Sequence, residues 1–370
     1  MDTTIIRKRL RALRDERAWS QEDLAAQMGF KDRQTLSAIE NGDRKITADE
    51  LVKAALAFKV ELEFFVDPFR LYGEAAFSWR QKGVTDSALK SFEEQSGQVI
   101  GLYRWLLGEK GTPPPVLSQK LFLDAQSSLD DAAMAGDELA LKLRIASLAP
   151  ALSLKQYVED QLGMLVLYVD AIKGISGAAC RLPQVNTILI NRQEIDGRRH
   201  FDMAHELFHL LTWDTMPPRY NDSDEPKGPL DKRIEKLADS FAAAILMPAW
   251  ALMPYLNNKP AGDLHNWLNS IANDLYVTAQ ALKFRLRNMS AITKAEFDSI
   301  SDDRLKFNGA AVSPTGNLPP LFSRQFMMLL GWGIEDGRVS VRRVSSMLAM
   351  TIDQLAQVFV DHSLDPPFEI

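Results

Sequence analysis

The chain has 370 residues, 46% of them hydrophobic and 25% charged, with a formal net charge of −6. Such values fit two or three globular domains and exclude a chain that coats nucleic acid over its whole surface. No apolar run reaches the roughly 18 residues of a membrane span, no signal-peptide core follows Met1, and the lone Cys180 excludes an internal disulfide framework, so a cytoplasmic location is expected.

Residues 5–66 read as five short helices. Ile6, Leu10 and Leu13 line one face of the first, while Arg7, Lys8, Arg9, Arg11, Arg14 and Arg17 crowd the rest of it. Ser20 followed by Asp23 is a variant capping box; Leu24, Ala25 and Met28 then face inward, and Gly29 ends the helix where a positive φ is wanted. Arg33 to Asn41 forms the next helix, with Leu36 and Ile39 inward and Gly42 as its stop. The string Ser20-Gln21-x-x-Leu24-Ala25, then Gly29, then Leu36-Ser37-x-Ile39-Glu40-x-Gly42 resembles the Xre/Cro-type helix-turn-helix of bacterial and phage repressors. That resemblance implies a second helix lying in the major groove. Arg33, Gln34, Thr35 and Ser37 would read base edges, and Gln21, Arg44 and Lys45 would hold phosphates. It also implies a homodimer on a double-stranded DNA operator. From Gly29 to Glu40 the spacing is one residue longer than usual, which lengthens the turn at Phe30-Lys31-Asp32. A helical adaptor that kept this fold and lost its DNA is the alternative.

Phe64 to Phe69 closes this module. From Phe77 to Leu107 the pattern reads as helical, with its aromatics packing against a neighbour. Gly108 to Pro115, carrying Pro113-Pro114-Pro115, reads as a stiff linker, and residues 128–148 return to an amphipathic helical pattern. Three strand-like runs follow at Met164–Val169, Ser176–Arg181 and Thr187–Asn191, with Cys180 expected as a small buried hydrophobe.

The most chemically informative string is His205-Glu206-Leu207-Phe208-His209, set in an apolar run. On a helix, residues four apart share a face, so both imidazoles can grip one metal ion; Glu206 lies about a quarter-turn round, in reach of a metal-bound water. Downstream, Arg233 to Met247 has strong helical character and Pro248 stops it. Glu235 and Asp239 are four apart on it and point the same way. His205, His209 and Glu235 together leave one zinc position open, and Asp239 is spaced to accept the free ring N–H of a ligating histidine.

H-E-x-x-H followed by Glu235-x-x-Ala238-Asp239-x-Phe241-Ala242-Ala243-x-x-Leu246-Met247-Pro248 resembles the ImmA/IrrE regulatory metallopeptidases, over roughly residues 150–290. The resemblance implies a small twisted sheet beside a helical core, Zn2+ on His205, His209 and Glu235, and Glu206 as general base. Asp202 stands where relatives usually carry threonine or serine, and Phe208 where glycine is common. A further donor to the oxyanion is expected, with Tyr220, Tyr255 and His265 as candidates. His200 is expected on the surface of the turn leading into the metal helix, His265 and His362 as ordinary polar residues, and Asp222 to Glu225 as a solvated loop.

Residues 308–320 read as a loop-rich boundary, followed by a helical tail whose last pair, Ser340–Leu348 and Thr351–Val360, reads as a packing or dimerisation element. The expected fold is mainly α with a small β-sheet. Its parts are a helix-turn-helix domain (1–68), a helical connector (69–149), an α+β zincin-like domain (150–307) and a helical C-terminal domain (308–370). The function these imply is a DNA-binding transcriptional regulator with a zinc-dependent endopeptidase domain that cuts a partner helix-turn-helix repressor or itself. Two alternatives remain at this point. One is a regulator whose peptidase fold is a catalytically silent sensor or scaffold. The other is the antitoxin of a toxin–antitoxin or phage-defence operon, partnered by a toxin.

Overall fold

In the computed structural model, which describes residues 3–112, 119–143, 149–218, 221–223, 228–311 and 318–369, buried apolar side chains form three separate cores among the described residues. The first holds helices α1 (Thr3–Glu16), α2 (Gln21–Gln27), α3 (Arg33–Asn41), α4 (Ala48–Phe58) and α5 (Glu63–Val66) around Leu10, Leu24, Leu36 and Phe58. The punctuation lies where the sequence places it. Ser20 and Asp23 form a reciprocal capping box, and Gly29 and Gly42 take φ of 71° and 88° beyond the ends of α2 and α3. The longer turn is visible too: Phe30 N–H bonds back to Ala25, and Asp32 caps α3.

Residues 77–81 depart from the helical reading. Strand β1 (Ala76–Gln81) precedes helix α6 (Asp86–Lys110), so a strand and a helix share the stretch expected as one helix. The cause is a two-residue period too short to stand out beside α6: Phe77 and Trp79 go to one face, Ser78 and Arg80 to the other. After α7 (Leu129–Leu143) and α8 (Pro150–Asp160) come β2 (Leu165–Val169), β3 (Ile175–Arg181) and β4 (Thr187–Asn191). Then follow α9 (Asp196–Thr212) and β5 (Asn221–Ser223). The sheet runs β2-β4-β3-β1-β5 among the described residues, antiparallel for β1/β3 and β3/β4 and parallel for β2/β4 and β1/β5. The segment expected as a helical connector therefore supplies a strand to the central sheet.

Both faces of the sheet are covered at β2 and β4, which is why these two strands are almost wholly apolar. Val166, Ala179, Ile188 and Ile190 point to α8, α9 and a second core that includes Phe208 and Phe241; Leu165, Leu167, Ala178, Cys180 and Leu189 point to α6 and a third that includes Trp79 and Phe326. Cys180 is fully buried, as expected of a small strand hydrophobe, and burial pushes its thiol far up.

Helix α10 (Pro229–Leu246) packs on α9 and, very closely, on α7. Gly136 makes that approach possible, since a Cβ there would lie 2.6 Å from the Phe241 carbonyl oxygen. Helices α11 (Ala249–Leu256), α12 (Leu264–Asp274), α13 (Ala279–Asn288), α14 (Lys294–Ser299) and α15 (Asp302–Leu305) complete the core that α9 and α10 share. The tail, α16 (Arg324–Glu335), α17 (Val341–Met347) and α18 (Ile352–Asp361), buries Phe326, Leu330, Val344 and Phe359 against α6 and the far face of the sheet. Its last two helices thus pack as the sequence suggests. The first residues of the expected linker, 108–110, instead end α6, while its prolines at 113–115 lie outside the described residues, as do 312–317 of the boundary before the tail. Among the described residues no single helix is long and apolar enough to cross a membrane.

Candidate metal centre and DNA-facing helix

Every residue of α9 from Asp202 to Thr212 is buried. A helix buried all round can present polar side chains only where other elements meet their needs. His205 and His209 meet theirs on α10. His205 Nε2 lies 3.0 Å from Glu235 Oε2, His209 Nε2 lies 3.5 Å from Glu235 Oε1, and the two Nε2 atoms are 3.1 Å apart. One donor atom from each of the three residues falls within 4.8 Å of the others.

The donor set fits a metal ion. Two buried imidazole nitrogens facing each other at 3.1 Å need a shared cation or proton to offset their lone-pair repulsion. Tetrahedral zinc–nitrogen bonds of about 2.0–2.1 Å set neighbouring donors about 3.3 Å apart, close to that spacing. Two histidines and one carboxylate are also the composition of an open, catalytic type of zinc site.

The surroundings tune these donors. Asp239, half-exposed at the rim, accepts from His205 Nδ1 at 3.0 Å, as the i,i+4 spacing with Glu235 requires. By contrast, His209 Nδ1 is buried and has no hydrogen-bond partner among the described residues. Burial and Arg80 both oppose a charge on His205, but its bonds to Asp239 and Glu235 outweigh them and raise it to about 10. Burial alone would raise Glu235, yet bonds from both histidines hold it well below the usual carboxylate range. Glu206 is fully buried, and that burial pushes its carboxyl up to about 8.

Arg80 has no signal in a sequence read as helical, and it reaches this site from β1. Its guanidinium lies 3.2 Å from Asp202 Oδ1 and 3.8 Å from Asp239 Oδ1. Asp202, fully buried, also accepts from Arg198 Nε at 3.2 Å. Phe208 is fully buried against Phe241 of α10.

The remaining candidates are committed elsewhere. The Tyr255 hydroxyl donates to Asp274, and His265 uses Nδ1 on Asp263 while its Nε2 accepts from Ser301 N–H. Tyr220 lies outside the described residues, as do Asp224 and Glu225; Asp222 belongs to β5, not to a loop. His200 corrects the expectation of a surface turn: it sits within α9, half-buried, with Nδ1 2.8 Å from the Tyr276 carbonyl. His362 is likewise bound to the Leu321 carbonyl.

On the helix-turn-helix, Arg33 and Gln34 are exposed on the first turn of α3, and Lys45 is exposed beyond it. Thr35 bonds to the Asp32 cap through both its N–H and its hydroxyl, and Ser37 is half-buried beside Asn41. Gln21 donates to Glu40 at 2.8 Å, Glu40 also takes the Arg14 guanidinium, and Arg44 pairs with Glu50 at 2.5 Å. Glu40 is an anchor that the sequence motif contains without revealing its use.

Comparison with known proteins divides the chain in the same way. Residues 10–65 match the helix-turn-helix family, and residues 159–287 match the IrrE N-terminal-like domain. No curated protein matches the chain. An N-terminal helix-turn-helix domain is thus fused to an IrrE/ImmA-like peptidase domain.

Proposed function

We propose that this chain, a helix-turn-helix domain joined to an IrrE/ImmA-like peptidase domain, is a DNA-binding transcriptional regulator with a zinc-dependent endopeptidase activity. The observation that carries the reading is the convergence of His205, His209 and Glu235 with Glu206 buried beside them. When bound, a zinc ion supplies Lewis acidity to a water and to a peptide carbonyl. The chain's own groups do the rest. Asp239 accepts the His205 Nδ1 proton and so fixes the tautomer whose Nε2 lone pair faces the cluster. Glu206 takes the proton of the attacking water and delivers it to the leaving amine. The protein cut is a helix-turn-helix repressor or the chain itself, and cleavage switches transcription in the cytoplasm.

On the DNA side, Arg33 and Gln34 are free to read base edges of a double-stranded operator, with Thr35 and Ser37 beside them. Lys45, Gln21 and Arg44 hold phosphates, the last two pre-oriented by Glu40 and Glu50. Two copies bind as a homodimer across two half-sites.

The test compares cells expressing the full-length protein with cells expressing Glu206→Gln, under zinc-replete conditions. New protein N-termini appearing only with the unaltered chain are expected, on this protein or on a repressor. Zinc should be retained by both. Identical sets of termini with zinc bound in both would sink the peptidase reading and leave a metal-binding regulator.

A further inference from the structure

We propose that Arg80, on a strand outside the 159–287 peptidase match, is a positioning residue of the metal centre, holding Asp239 and Asp202 so that Asp239 can fix His205. The inference rests on the reading of His205, His209 and Glu235 as zinc ligands.

Strand alternation starts the argument. Phe77 and Trp79 enter the core beneath α6, so Arg80 must emerge on the opposite face of the sheet, where α9 and α10 meet. There it spans the depth of the site, from Asp202 on the fully buried floor to Asp239 on the half-exposed rim. The Phe201 ring, 5.9 Å from the guanidinium, flanks it. A planar, forked cation can serve two carboxylates at once, which an ammonium cannot do in fixed geometry.

Charge balance points the same way. Asp202, Glu206, Glu235 and Asp239 place four carboxyl groups around one cluster, and among the described residues Arg80 pairs with Asp202 and Asp239 and Arg198 with Asp202. A divalent ion with those two cations offsets the ionised carboxylates of the set. Coulomb's law alone would make removal of Arg80 strengthen cation binding. A positioning role has the opposite sign, because Asp239 loses its restraint and His205 its orientation. The two ideas therefore separate on one measurement.

That measurement is zinc affinity of the full-length protein by competition with a chromophoric chelator, with no substrate present. The variants are Arg80→Gln, Arg80→Lys, Asp239→Asn, the pair Arg80→Gln with Asp202→Asn, and the pair Arg80→Gln with Asp239→Asn. Loss of an outer-sphere partner is expected to weaken zinc by about 10–100-fold in Arg80→Gln, with partial recovery in Arg80→Lys. The Arg80→Gln/Asp202→Asn pair keeps the buried floor neutral, so it decides the matter if Arg80→Gln fails to fold; it too should bind weakly. Because Arg80 acts through Asp239, adding Arg80→Gln to Asp239→Asn should cost nothing further. Unchanged or tighter zinc in the Arg80→Gln/Asp202→Asn pair, or additive losses in the pair with Asp239→Asn, would overturn the proposal. An unaltered chain that takes up no zinc would overturn the metal reading and this inference together. A chain that binds zinc yet cuts no protein would leave this inference standing.

Discussion

The candidate metal centre and the helix proposed to face DNA are ordered by different means. At the candidate metal centre the side chains themselves are locked: His205 and His209 are buried, Glu235 and Asp239 meet them from α10, and Arg80 of β1 pairs with Asp239. On α3 the backbone is locked, by Asp32 at one end and Gly42 at the other, while Arg33 and Gln34 stay in solvent. Ligation needs donors fixed before the ion arrives, since any reorganisation subtracts from affinity. Base reading needs a rigid rail and side chains free to find their partners.

The largest effect expected from this contrast is at the ligands. His205→Ala or Glu235→Ala should lower zinc affinity by about 4 kcal/mol or more, on the order of a thousandfold, with DNA affinity unaltered. Elemental analysis and a DNA-binding assay on the same preparations check both halves. Zinc uptake should also release about one proton per chain near neutral pH, because the ion must displace a proton bound in the cluster. The sign follows from His205. Its pKa in the metal-free fold is raised from 6.5 to about 10, so the stabilisation it confers is full below 6.5 and lost as pH rises through about 10. Zinc therefore competes with that proton, and affinity should fall as pH is lowered. Uptake monitored with an indicator dye in weak buffer, showing no proton release, would mean that His205 is neutral before loading.

The next effect tests what ties the two regions together. Arg9 on α1 is fully buried, donates to the carbonyls of Phe64 and Arg70, and lies 3.5 Å from Glu74, which also pairs with Arg104 of α6 at 2.9 Å. Glu74 stands two residues before β1. Removing one member of a buried charge pair costs about 3–5 kcal/mol, because its partner is left uncompensated. Glu74→Ala should therefore lower the melting temperature of the whole chain by several degrees, read by calorimetry. A change confined to DNA binding would mean that this cluster serves the first domain alone.

The contrast also explains what the sequence disclosed. His205/His209 and Glu235/Asp239 are i,i+4 pairs, so local periodicity places each pair on one helix face, and composition indicates that the faces meet. The helix-turn-helix was readable for the same reason: its caps and glycines are local. Arg80 was hidden because its partners are more than a hundred residues away and its strand is short beside a long helix. Glu40 was visible in the motif but not its role, which depends on Arg14 and Gln21 arriving from two other helices. Long-range charge pairing leaves no period in a sequence.

A smaller effect separates readers from holders on the DNA side. Arg33→Ala should cost about 1–3 kcal/mol on the preferred site and relax preference at one base position. Lys45→Ala should weaken all sequences alike and reduce the salt slope by about one. Binding to a selected and a scrambled duplex at several salt concentrations distinguishes them. Equal losses on both duplexes for Arg33→Ala would assign it to phosphate instead.

The smallest effect tests whether the backbone rail matters apart from the side chains it carries. Asp32 accepts the Thr35 N–H at 3.0 Å and the Thr35 hydroxyl at 3.3 Å. Asp32→Ala should cost about 1 kcal/mol of domain stability, and Asp32→Asn, which keeps the cap, should restore most of it. Zinc affinity should not move, because α3 belongs to a core separate from the metal helices. If Asp32→Ala also blurs sequence preference while Asp32→Asn preserves it, the cap sets the aim of Arg33 and Gln34. If preference survives both changes, the length of the turn before α3, not its cap, fixes how that helix is presented.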